Sequence, residues 1–566
     1  KMATQLSNLK YGPDIDKAYS ALNDDFQNST QTKMEADVMA ELKKREDFIR
    51  NPSAEGWAYW LSNANFFMSI GGNVSSALIN TTVLPMVVLP KLAVTASGGY
   101  NYGRAFNALM EAKTLFFKGG YDDSKNYLSK NLKIRTFGVN PNLSADLKDL
   151  YKQANENGVL AYSVGRDLND VANTPSDQYT ALKQKASTLI GLVFEGTERF
   201  NREVTLIAAY KLGIKDGLTH QAAVDKALTL TSRIHTEAVA EAGPRWLQHG
   251  LPKVALTFKR FVLAQILNMG MLARTALRGE DALTKRIAQK QLLGIVGATW
   301  VFAGIKGLPG YGAANVLANF LAGDDDEPFD LDEWLDDSIG TVMTNGAVNQ
   351  ITGLDVASRT GFENTLWRDD PKRLADVGYI SFALEKFLGP SFSTAQNFEE
   401  GIKEMSRGQT YRGFEKLVPA FVRGPLKAWR YMTEGALDKD GAPIVDDVNA
   451  WNQFMQIWGF SPAELAEQYA RTSARKKMEQ GILHRRTALL ESAYLATVNG
   501  DDDAMDHVIE LIDKFNDKNP EAGIAITQET LNKSFMTRER NIMNSVGGMN
   551  FNPKLLPRLE ETYPED

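Results

Sequence analysis

A chain of 566 residues is too long for one ordinary hydrophobic core and calls for roughly two to four packed units. With 43% hydrophobic and 23% charged residues it is not a disordered polymer, and a mean hydropathy of −0.29 excludes a polytopic membrane protein. The balance of 63 basic and 70 acidic residues, net −7, excludes a polycation that coats nucleic acid; the absence of cysteine excludes disulfides, thiol catalysis, iron–sulfur clusters and thiolate zinc sites.

The chain opens Lys1-Met2 without a charged-then-apolar leader, so the expectation is a fragment of something longer or a processed product. Gly56 to Pro90 then runs 35 residues without a charge, and beyond Lys91 the uncharged character continues to Gly103. A membrane-crossing helix needs about 20 apolar residues, and Asn63, Asn65, Asn73, Asn80, Pro85 and Pro90 dilute this stretch. Two readings stay open: a buried helical core, or a segment that meets lipid or another subunit. Trp57, Trp60, Phe66, Phe67 and Val87 are its candidate membrane or interface residues.

Leu143 to Asn155 reads as a helix. Glu195 to Tyr210 is a stronger case: Glu195 with Arg199, Glu198 with Arg202 and Arg199 with Glu203 are opposite charges four apart. Phe200, Val204 and Ile207 fall on another stripe, a core face. Residues 251–310 are basic, with nine Lys or Arg against two acids. Lys253, Lys259, Arg260, Arg274, Arg278, Lys285 and Arg286 are the candidate DNA or anionic-surface residues; Lys290 and Lys306 complete the set.

A second poorly charged stretch, Gln291 to Gly323, carries only Lys306. Its apolar run LLGIVGATWVFAGI is broken by PGYG, and Trp300, Phe302 and Phe320 are its candidate interface residues. Nine acids between Asp324 and Asp337 follow without a base. Either the basic face meets nucleic acid or anionic lipid while the acids stay solvated, or the two blocks neutralise each other within or between subunits.

Further on, ALDKDGAPIV is the one hairpin candidate, turning at Asp440-Gly441. Ser461-Pro462-Ala463-Glu464 is a capping box with proline at the first helical position, launching a helix to the Asn499-Gly500 stop. That helix holds a second basic cluster, Arg471, Arg475, Lys476, Lys477 and His484-Arg485-Arg486, which a solvated face explains. Thr527 to Asn544 is the last helix expected. Proline is scarce, at 20 residues, and no repeat of solenoid period occurs. The fold expected is mainly α: several packed helical subdomains with at most a minor β-hairpin. The divisions expected are 1–170, 171–323, 324–445 and 446–566.

Catalytic patterns start and fail. Gly310-Tyr311-Gly312 lacks the third glycine of a dinucleotide loop and reads as a helix break. Asp438-Lys439-Asp440-Gly441 lacks the spacing and closing glutamate of a calcium loop. Glu491-Ser492 matches the pair of lytic transglycosylases without the Gly-Leu-Met-Gln block expected after it, so a helix-surface glutamate is the simpler reading. The five histidines are scattered and pair nowhere as metal ligands. No catalytic residue, cofactor or metal is expected in this segment.

Several stretches, in order along nearly the whole chain, resemble the C-terminal region of large polyvalent (PLxRFG-type) phage proteins, which include the internal virion, or DNA-ejection, proteins of short-tailed phages. The resemblance rests on NVSSALINTTVLPMVVLPKLA (73–93), ERFNREVTLIAAYKL (198–212) and VALTFKRFVLAQILNM (254–269). It extends through KGLPGYGAANVLANFLAGDDDEPFDLDEWL (306–335), ITGLDVASRTGF (351–362), GFEKLVPAFVRGPLKAWRYMTEG (413–435), GFSPAELAEQYA (459–470) and ITQETLNKSFMTRERN (526–541). The naming hexapeptide is absent, Pro425-Leu426-Lys427 being the nearest fragment. The resemblance implies a non-enzymatic virion protein, stored inside the capsid and expelled into the host envelope, where it oligomerises into a conduit for DNA. The partners it implies are a homo-oligomer, other ejection, portal or tail proteins, phage DNA bound non-specifically, and the host inner or outer membrane. A muralytic or polymerase-associated segment, or a scaffold around the portal, are the alternatives.

Overall fold

The structure, a computed structural model, describes residues 2–50, 56–127, 143–160, 178–235, 260–322, 331–362, 390–437, 442–445, 447–521, 523–543, 545–546 and 549–550. Helices dominate. In chain order they are α1 Met2–Gln27, α2 Lys33–Arg50, α3 Gly56–Ser69, α4 Val74–Asn80, a π-helical turn Leu84–Val88, α5 Leu89–Ala93, α6 Tyr102–Tyr127 and α7 Ala145–Glu156. Next come α8 Gln178–Lys215, α9 His220–His235, α10 Arg260–Arg278, α11 Ala282–Ala303, α12 Tyr311–Ala322, α13 Leu331–Ile339, α14 Thr341–Asn345, α15 Ala347–Thr352 and α16 Ala357–Thr360. The last are α17 Pro390–Ser406, α18 Thr410–Leu417, α19 Ala420–Thr433, α20 Ala450–Ile457, α21 Ala463–Asn499, α22 Asp502–Lys518 and α23 Gln528–Met543. Two short antiparallel hairpins complete the described elements, β1 Ala436–Leu437 with β2 Pro443–Val445, and β3 Ser545–Val546 with β4 Met549–Asn550. The first is the hairpin read from the sequence; its turn lies outside the described residues.

The chain divides into two units: residues 1–311 with 339–468, and residues 312–338 with 469–566. In the first, α8 is the central helix. From Asn201 to Leu212 nearly every residue is buried, because α4, α6 and α9 pack on different sides of it. Val204 and Ile207 sit in the core as their spacing requires, with Phe200 packed at its margin. The ion pairs Glu198–Arg202, at 3.1 Å, and Arg199–Glu203 form, each with one buried and one half-buried partner; the third expected pair involves Glu195, whose side chain lies outside the described set. Arg202 is 2% exposed, and besides Glu198 its Nη1 and Nη2 donate to the carbonyls of Val159 and His235. A buried guanidinium needs a carboxylate and carbonyl acceptors of this kind to offset its lost hydration.

The first uncharged stretch supplies the other half of this core. Met86, Val87, Val88, Leu89 and Ala93 are all buried. Pro90 has no N–H to give and would clash with the carbonyl four residues back, so the backbone widens to a π turn in which Leu89 N donates to Leu84 O. α11 crosses α5 at Gly294, where a Cβ would lie 2.9 Å from that of Pro90. Gly304 (φ +65°) ends α11, and there a Cβ would come 2.1 Å from Thr344 O, which explains the glycine at this crossing.

The second unit is built on α21 and α22. Leu489, Leu490 and Ala493 pack on Val508, Ile512 and Phe515, with Ile526 closing the cluster. Asn516 holds both the N–H and the carbonyl of Ile526, fixing the chain into α23. α21 begins at Ala463, one residue later than the capping-box reading implied. Pro462 is occupied in a bridge with Leu354, and its carbonyl accepts the first helical bond from Ala466.

Candidate interface and anion-facing surface

The first uncharged stretch is held in place by polar ties at its entry. Asn73 caps α4, accepting from Ser75 N and Ser76 N. Ser75 Oγ donates to Gly459 O at 3.0 Å, and Arg359 reaches both, with Nη1 2.6 Å from Ser75 Oγ and Nη2 3.0 Å from Gly459 O. Asn201 Nδ2 donates to Asn80 O at the other end of α4. Residues 74–93 are long and apolar enough to cross a membrane by length and composition, yet their C-terminal half is the protein core.

Lys91 ends that half. It is 9% exposed, and burial, followed by the repulsion of Arg233, lowers its ammonium to about 8. His235 lies in the same interior. Thr205 gives its hydroxyl proton to Asn201 O, so its oxygen accepts from His235 Nε2 at 2.8 Å. Burial, Arg202 and Lys91 hold the imidazole neutral, well below the usual histidine range. Neither residue stood out in the sequence, because their burial depends on α8 and α9.

Of the interface residues singled out in the first stretch, Phe66 and Val87 face the interior. Phe67 is 39% exposed and packs edge-on against Phe421 at 5.9 Å. Trp57 and Trp60 lie on α3, with side chains outside the described set. In the second stretch Trp300 and Phe302 are half-buried on α11, Phe302 bridging two apolar clusters; Phe320 lies on α12, its side chain also outside the described set.

Other side chains of this second stretch are the ones that face outward: Leu293 and Val301 on α11, Leu317 and Leu321 on α12. Leu293 and Leu321 are 71% and 72% exposed. Gly310 (φ +83°) makes the break before α12 that the sequence suggested.

The basic residues divide likewise. Lys253 and Lys259 lie outside the described residues, and Arg260 opens α10 with its side chain outside them. Arg274, Arg278, Lys285 and Arg286 come together at the tip of the α10–α11 hairpin, where Asp281 caps α11 through Thr284 N. Arg274, Arg278 and Arg286 are exposed and Lys285 half-buried; among the described residues none of the four has a carboxylate within ion-pair distance. Lys290, one turn on, is engaged with Gly98 O at 2.7 Å.

Chemistry of other kinds is sparse. Among the described residues no three His, Asp or Glu side chains converge on a cation position. Glu491 lies on exposed α21, 3.8 Å from Arg538 of α23. His220 bridges Asp149 (3.0 Å) and Tyr210 (2.9 Å), tying α7, α8 and α9 together. Burial raises the Tyr210 phenol, and the His220 hydrogen bond lowers the Asp149 carboxyl.

Comparisons with protein-family models, with curated proteins and with solved structures find no match for this chain.

Proposed function

We propose that this chain is a non-enzymatic internal virion protein that leaves the capsid at infection and assembles with copies of itself into a conduit for DNA across the host envelope. One observation carries the reading. In a protein of net charge −7, the helices of one poorly charged span turn Leu293, Val301, Leu317 and Leu321 toward solvent. Large apolar side chains left outward on such helices are the mark of a surface that meets something else. Subunit contacts in an oligomer would cover them, and zero cysteine suits passage through an oxidising periplasm.

The test combines size and permeability. Light scattering of the purified chain, alone and with vesicles, is expected to give a defined oligomer, together with dye release from anionic vesicles. A monomer under all conditions, with no release, overturns the reading. Oligomers without release point instead to a scaffold around the portal. Muralytic activity abolished by Glu491→Gln would point to a cell-wall hydrolase.

A further inference from the structure

We propose that the α10–α11 hairpin is a docking surface for an anionic lipid bilayer. The sequence of each helix already separates two kinds of residue along its length. On α10 the outward stripe reads Leu267, Met271, Arg274, Arg278, at spacings of four, three and four; on α11 Arg286, Leu293, Gly297 and Val301 face outward, while Lys290 between them is half-buried on Gly98 O. The inward stripes, Gln265, Met269 and Ala276 on one helix and Ala288, Ile295 and Thr299 on the other, are buried. Both outward stripes are therefore basic near the Gly279–Asp281 tip and apolar further from it, and Leu277 and Leu283 flank the tip itself. Leu277 is 77% exposed and Leu267 65%.

Charge selects the occupant. Arg274, Arg278, Lys285 and Arg286 form no ion pair among the described residues, and against the exposed Glu280 and Asp281 of the turn these four bases leave the tip net positive on a protein of net −7. Duplex DNA would use the arginines and leave the leucines in water. A bilayer with anionic headgroups uses both: phosphates meet the arginines at the headgroup level while the leucines and Met271 enter the acyl boundary beside them. This surface rests on the proposed function only for where the bilayer is met.

The test is co-sedimentation of the whole chain with vesicles of phosphatidylcholine, alone or with phosphatidylglycerol as about a third of the lipid. Binding is expected to the mixed vesicles only, and to weaken as salt is raised. The triple variant Arg274→Gln, Arg278→Gln, Arg286→Gln is expected to bind about a hundredfold more weakly, each charge accounting for about fivefold. Leu277→Ser with Leu293→Ser is expected to lose about tenfold. All five positions are exposed, so an unchanged melting curve accompanies each variant.

Undiminished binding by either variant, or equal binding to the neutral vesicles, overturns the proposal. So does a chain that ignores vesicles and binds duplex DNA, or an acidic protein segment, through the same arginines. Vesicle binding lost in both variants while the wild type releases no dye supports this surface and counts against the conduit. Dye release that neither variant weakens overturns this surface and leaves the conduit standing.

Discussion

The end of the first poorly charged span and the second span are alike in composition and differ in fate. Residues 84–93 lie between α6, α8 and α11, with Val88 fully buried and even Lys91 drawn inside. On α11, residues 291–303 bury one side, through Ile295, Thr299 and Ala303, and turn Leu293 and Val301 outward; on α12, Leu317 and Leu321 are exposed. Lack of charge therefore permits burial without dictating it. What decides is the number of sides on which other helices arrive.

The sharpest way to break this contrast is to place the same charge in each span. Val88→Asp is expected to cost more than about 4 kcal/mol, because an isolated carboxylate in that core has no partner. Leu293→Asp, on the exposed stripe, is expected to stay within about 0.5 kcal/mol. Urea unfolding of both variants measures the difference, and equal costs would erase the distinction between the spans.

Lys91 sharpens the comparison from the other direction. Its folded value, about 8, lies below its unfolded 10.5, so at pH 7 the native state holds a buried charge that the unfolded chain keeps in water. Lys91→Met is expected to stabilise the protein by about 3 kcal/mol at pH 7. Because the unfolded chain binds the proton more tightly, wild-type stability rises between about pH 8 and 10.5 and the advantage of Lys91→Met closes across that window. Denaturation midpoints at pH 7 and above pH 10 check both statements.

His235 acts at the acid end. Held neutral well below 6.5, it takes up no proton when the unfolded chain does, so stability is lost as pH falls below that value. The expected slope is up to about 1.4 kcal/mol per pH unit, and His235→Gln should flatten it in calorimetric scans. A smaller loss is expected at the entry of the first span: Asn73→Ala removes the α4 cap and is expected to cost about 1 kcal/mol in thermal unfolding.

Much of the architecture could be read residue by residue. Two of the three charge pairs spaced four apart on α8 form, Glu198–Arg202 and Arg199–Glu203, Gly310 breaks the chain before α12, and α21 ends at Asn499 before Gly500 (φ +64°). The hairpin around residue 440 forms its two strands. The candidate surface was legible only in part. Arg274, Arg278, Lys285 and Arg286 were singled out by charge, while their neighbours Leu267, Met271, Leu277 and Leu293 were not, although the spacing of Leu267, Met271, Arg274 and Arg278 already marks a common stripe. The tie of Arg359 to Ser75 and Gly459 joins residues hundreds of positions apart, and no local pattern announces it.

By itself, then, the order of residues determined that this protein is helical, where a few of its helices stop, and that Glu198 with Arg202 and Arg199 with Glu203 meet along one of them. Those outcomes depend on neighbours within about four positions, the reach of a backbone hydrogen bond or a side chain on one turn. Only the tertiary structure decided that Arg202, Glu203, Lys91 and His235 are buried and that Leu277 and Leu293 are not. Burial is set by what distant segments bring against a surface, and two helices of equal apolarity part ways when one is enclosed on every side and the other on one.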